Sequence, residues 1–126
     1  MEGTKINVLH NDHREWLNRL DFYKDDLSII KKRIEEVVSK NTSQEVMAMV
    51  EHFQNQFIIQ QNEIDEFRHV IKEKEHQLEL AIQINSTAIN RQRLSDHPEL
   101  RERMEQFEKL FQEFRLELFR FVAKYI

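Results

Sequence analysis

One glycine, Gly3, and one proline, Pro98, are all that 126 residues contain of the two. An average chain carries about 12% of them together. Turns, hairpins and sheets draw on these residues, so a chain nearly without them forms few elements and long ones. Glu, Gln, Lys, Arg, Leu and Ile are abundant, and most of them are good helix formers. The expected class is all-α, in a single domain over residues 1–126.

Hydrophobic spacing divides the chain into three helices at about 5–40, 43–83 and 97–126. The first stripe reads Leu9, His13, Trp16, Leu20, Tyr23, Leu27, Ile30, Ile34, Val37. The second reads Val46, Val50, Phe53, Phe57, Gln60, Ile64, Phe67, Ile71, Lys74, Leu78, Ala81. The third reads Leu100, Met104, Phe107, Phe111, Phe114, Leu118, Phe121, Tyr125. Steps of four and three alternate throughout, which keeps each stripe on one face. Only His13, Gln60 and Lys74 interrupt them. A strict 3.5-residue period favours left-handed packing at about 20°. The expectation is an antiparallel up-down-up bundle with coiled-coil-like packing, completed by dimerisation.

Local signals set the expected boundaries. Thr42 with Glu45 fits a capping box at the start of the second helix. Asp96 as a cap, Pro98 in the first turn and Glu99 at the positive dipole end fit the start of the third. Residues 84–95 then read as loop or frayed helix. The short connection near Asn41 makes the first two helices a hairpin, with residue i roughly opposite 83 − i.

Apolar residues off the stripes suggest a second contact surface, most simply a symmetric homodimer. They are Phe22, Ile29, Ile58, Ile59, Leu116, Phe119 and Ile126. The amides Gln54, Asn55, Gln56, Gln60, Gln61 and Asn62 read as a solvated face.

The absence of cysteine excludes disulfides and thiolate chemistry. A net charge of −4 with no basic block argues against nucleic acid. The chain has no apolar run of the roughly 18 residues that span a membrane, and no basic amphipathic face for a membrane surface. The expected compartment is the cytoplasm. One glycine precludes a phosphate loop or a nucleophile elbow, so no catalytic residues and no cofactor are expected.

Six histidines remain to be placed: His10, His13, His52, His69, His76 and His97. Glu66-x-x-His69 and Glu73-x-x-His76 have the spacing of bundle-core metal motifs. With the register above, His10, His13, Glu66, His69, Glu73 and His76 could gather at one end. Glu66, His69, Glu73 and His76, however, fall on the outward side of the second stripe and read as solvated. His13 reads as a buried, hydrogen-bonded histidine.

The runs His10-Asn11-Asp12-His13-Arg14-Glu15-Trp16 and Glu51-His52-Phe53 resemble hemerythrin-type bundles. That family carries a histidine on its first helix and a His-Phe-x-x-Glu-Glu motif on its second. Here the corresponding positions are Gln56 and Phe57, and the third helix offers only His97. The resemblance implies a related bundle without the di-iron site. The layout is also similar to small uncharacterised bacterial helical proteins, which bring no function with them. Two function classes follow. One is a non-enzymatic, homo-oligomeric interaction or scaffold module with an unknown protein partner. The other is a metal-binding bundle handling oxygen, nitric oxide or iron.

Overall fold

A computed structural model describes the backbone of residues 2–84 and 86–126 and the side chains of 7–80, 82–83 and 97–126. Three helices account for it: α1 (Glu2–Lys40), α2 (Gln44–Ile84) and α3 (Ser86–Tyr125). No strand occurs among the described residues. All three helices pack on one another, α1 on α2 most extensively and α2 on α3 least.

The stripes form the core. Every stripe residue of α1 is buried, His13 included. On α2 and α3 the stripes are also buried, except that Phe57 and Tyr125 are partly covered and pack against the core edge. Lys74 is half-buried, and Ala81 lies outside the described side chains. Phe67 and Phe111 are completely enclosed. Each such side chain contributes about 1.5–3 kcal/mol of burial. Ring contacts link Tyr23, Phe107, Phe111 and Phe114 into a chain through the centre, with Phe53 and Phe121 continuing it.

Contacts between helices follow a consistent order. Moving along α1, Asp21 pairs with Arg68 of α2 and Lys24 with Asp65. On the α3 side, Asp12 meets His97, Arg19 meets Glu108 and Asp26 meets Arg115. Between α2 and α3, Glu63 pairs with Arg103, and Phe53 touches Phe121. The α1–α2 register is shifted from the expected one, by two residues where Glu75 and not Glu73 stands beside His10 and by six at Asp21–Arg68 and Lys24–Asp65.

Two boundaries differ from the sequence expectation. The α2 cap is Ser43: its Oγ accepts from the Val46 amide at 3.2 Å. Thr42 and Ser43 are both cap formers in adjacent positions, and the helix starts after the second. The other difference is larger. Residues 84 and 86–95 are helical and not loop, since Ile84 closes α2 and α3 begins at Ser86. Asn85 lies outside the described residues. Pro98 is thus inside α3, where it removes one backbone donor at a typical cost of about 3 kcal/mol. Burial of His97 and Leu100 on either side of it holds the helix against the bundle there, and the preceding segment contains no glycine and several good helix formers.

Asn41 finishes the opposite end. Its Nδ2 donates to the Val37 carbonyl at 2.9 Å and to the Tyr125 carbonyl at 3.0 Å. One amide therefore caps the last turn of α1 and ties down the end of α3.

Candidate functional site

Polar side chains from all three helices meet at the end of the bundle where α1 passes residue 10. Glu75 of α2 accepts from two imidazoles of α1, His10 Nδ1 at 2.7 Å and His13 Nδ1 at 2.6 Å. His10 and His13 lie three residues apart, one helical turn, so a single carboxylate reaches both. Asp12, turned toward α3, accepts from His97 Nε2 at 2.8 Å and from Arg101 at 3.3 Å. Trp16 packs between the two sets. Its indole stacks on His97 with centroids 5.3 Å apart and planes 20° from parallel, and it tilts against His13 at 5.9 Å. His13 and His97 meet edge-on at 6.1 Å.

The electrostatics follow from burial. His13 is 2% exposed. Desolvation pushes its pKa below the usual histidine value, and the hydrogen bond and charge of Glu75 oppose that shift without cancelling it. His13 is therefore a neutral imidazole at pH 7, donating from Nδ1. His97 Nε2 donates to Asp12, and its buried Nδ1 has no hydrogen-bond partner among the described residues. The assembly is a clasp: two carboxylates each hold imidazole across a helix interface.

The six residues weighed as metal ligands do not converge. His10 and His13 join Glu75, whereas Glu66, His69, Glu73 and His76 are exposed on α2. Glu66 instead lies 4.0 Å from Arg103. Among the described residues no group of three or more His, Cys, Asp or Glu side chains is placed to hold a metal ion. Sequence reasoning missed Glu75, the hub of the clasp. The available signal was its position flanking the α2 seam, where charged residues reach across to a neighbouring helix. His52 is exposed, with its ring against Phe53 at 5.2 Å. Of the α2 amides, Gln60 is buried and does not belong to a solvated face, while Gln54, Asn55 and Asn62 are exposed.

Three of the apolar residues outside the stripes line grooves between helices. Phe22, 67% exposed, lines the α1–α3 groove with Glu108 and Gln112. Ile29 follows Phe22 by seven residues and Leu116 follows Gln112 by four, so both continue that side. Phe119 is half-buried beneath the Arg115 guanidinium, 4.7 Å from its ring. Ile58 lines the α1–α2 groove with Phe57 and Ile34. Ile59 lines the α2–α3 groove with Leu110, a residue the stripes had not singled out. Ile126 stands exposed at the end of the chain. The seven residues expected to form one surface are thus distributed over several faces.

No helix among the described residues is long and apolar enough to cross a membrane. No family model, curated protein or solved structure matches the chain.

Proposed function

We propose that this chain is a non-enzymatic helical-bundle module for interaction or scaffolding that acts as a homo-oligomer, with the cytoplasm as its compartment. Its helices run up, down and up in antiparallel succession, a topology supported by the order of the pairs Asp21–Arg68, Lys24–Asp65 and Asp26–Arg115. A second copy covers apolar side chains that a single copy leaves in water.

The carrying observation is the set of large apolar side chains outside a core that is already full. Phe22, Ile58, Ile59 and Leu116 are each more than half exposed. Scattered exposed apolar residues are normal, but Phe22, Ile58 and Ile59 each line a groove between two helices, where apolar patches mark contact surfaces. Sedimentation of the full chain over a wide concentration range tests the reading. The expected result is a concentration-dependent dimer; a chain that stays monomeric to high micromolar concentration overturns it.

A further inference from the structure

A continuous groove runs between α2 and α3. Three adjoining recesses share lining residues: Ile59, Gln60 and Leu110 belong to the first two, His52 and Glu117 to the second and third. Together they run from Glu66 and Arg103 to Glu45 and Lys124. At 1.5 Å per residue the α2 side of this groove is about 30 Å long. Met49, Phe53, Phe107, Phe114 and Phe121 contribute to its floor. Ile59, 55% exposed, and Leu110, 45% exposed, stand at its middle.

Three charged groups and one histidine are disposed evenly about that middle. Glu66 and His52 lie seven residues to either side of Ile59 on α2, and Arg103 and Glu117 seven to either side of Leu110 on α3. Glu66 and Arg103 line the recess on one side of the Ile59–Leu110 pair; His52 and Glu117 line the recess on the other. Arg103 also pairs with Glu63 at 3.0 Å and lies over Phe67, which fixes it at the rim.

We propose that the α2–α3 face binds the same face of a second copy about a twofold axis level with Ile59 and Leu110. Two such axes lie in the plane of the face, and both bring unlike groups together. An axis across the helices sets Arg103 against the partner's Glu117 and Glu66 against the partner's His52. An axis along the helices sets Glu66 against the partner's Arg103 and His52 against the partner's Glu117. A closed dimer needs a self-complementary patch of this kind, and unlike charges at its rim favour the correct partner. Two helices side by side over this length present roughly 600 Å² per copy, of the order of the ~800 Å² of a standard interface. The Ile59 and Leu110 side chains form the apolar centre.

This inference rests on the proposed self-association and names the face that carries it. The test measures the dimerisation constant of the full chain by sedimentation, with helical circular dichroism confirming that each variant folds. Ile59→Asp with Leu110→Asp is expected to dissociate the dimer, and Phe22→Asp with Leu116→Asp, on the α1–α3 groove, to leave it intact. Glu117→Arg, at an exposed position, is expected to weaken the dimer about tenfold. A dimer that survives Ile59→Asp with Leu110→Asp, or that the α1–α3 pair dissociates, overturns the inference and leaves self-association standing. A Glu117→Arg variant as tight as the wild type overturns the charge pairing. A monomeric wild-type chain overturns both readings.

Discussion

The indole of Trp16 lies flat against the imidazole of His97, and through it α1 and α3 share one stacked pair in the middle of the clasp. Trp16 is the sole tryptophan, so its fluorescence reads this end of the bundle separately from overall helicity. Circular dichroism reads all three helices. The two probes together can tell local opening from global unfolding.

His13 makes stability depend on pH in a defined direction. Its pKa is lowered in the folded chain, chiefly by burial, whereas the unfolded residue takes a proton near about 6.5. Between the lowered value and about 6.5 the unfolded chain binds more protons, so acid favours unfolding. The stabilisation is fully present above about pH 6.5 and is lost as the pH falls through the folded value. Urea denaturation from neutral to mildly acidic pH is expected to show this slope, and His13→Leu to flatten it.

Glu75 is the acceptor for two imidazole donors. Glu75→Gln keeps the shape but offers one acceptor oxygen to two N–H groups. One donor is then left without its partner, at about 1–3 kcal/mol when that donor is the buried His13. Removing His10, which is nearly half exposed, is expected to cost much less. A double-mutant cycle of Glu75→Gln with His13→Leu should return a coupling of about 1 kcal/mol; additive effects would separate the two residues energetically.

Tyr23 works at the alkaline limit. Its hydroxyl donates to Glu108, and burial first, then that hydrogen bond, push its pKa up to about 12. In the unfolded chain a phenol ionises near about 10. Across that window the folded protein holds the extra proton, so stability falls as the pH rises. Tyr23→Phe is expected to remove this fall, while an absorbance titration of the native protein shows one tyrosine ionising late.

Asp26 is a buried carboxylate, 8% exposed, and Arg115 Nε donates to it at 2.9 Å. The same guanidinium covers Phe119. Arg115→Met would leave the carboxylate without this donor and is expected to destabilise the chain by about 1–3 kcal/mol. Adding Asp26→Leu should recover most of the loss, since it removes the buried carboxylate that Arg115→Met leaves without its donor. A chemical denaturation series measures both steps.

The core was legible because alternating steps of four and three leave no choice of face: Leu20, Ile30, Phe67 and Phe111 are where the stripes put them. Contact across the seam was harder to read. A short connection fixes that two helices pair but not their register to within a turn, which directed attention to Glu73 and away from Glu75. The start of α3 was missed because Asp96 and Pro98 form a good local signal. That signal yields where flanking residues bury against the bundle, as His97 and Leu100 do. Leu110 escaped notice because it belongs to no stripe; its position at mid-groove depends on how α2 and α3 splay, which is set in three dimensions.

The side-chain amide of Asn41 carries no charge at any ordinary pH, yet it fastens α1 to α3 at the end remote from the histidines. The bundle is thus closed by a titratable fastening at one extremity and a pH-indifferent one at the other. Acidification should accordingly fray the molecule directionally, with amides near residues 10–16 gaining deuterium exchange before those around Val37.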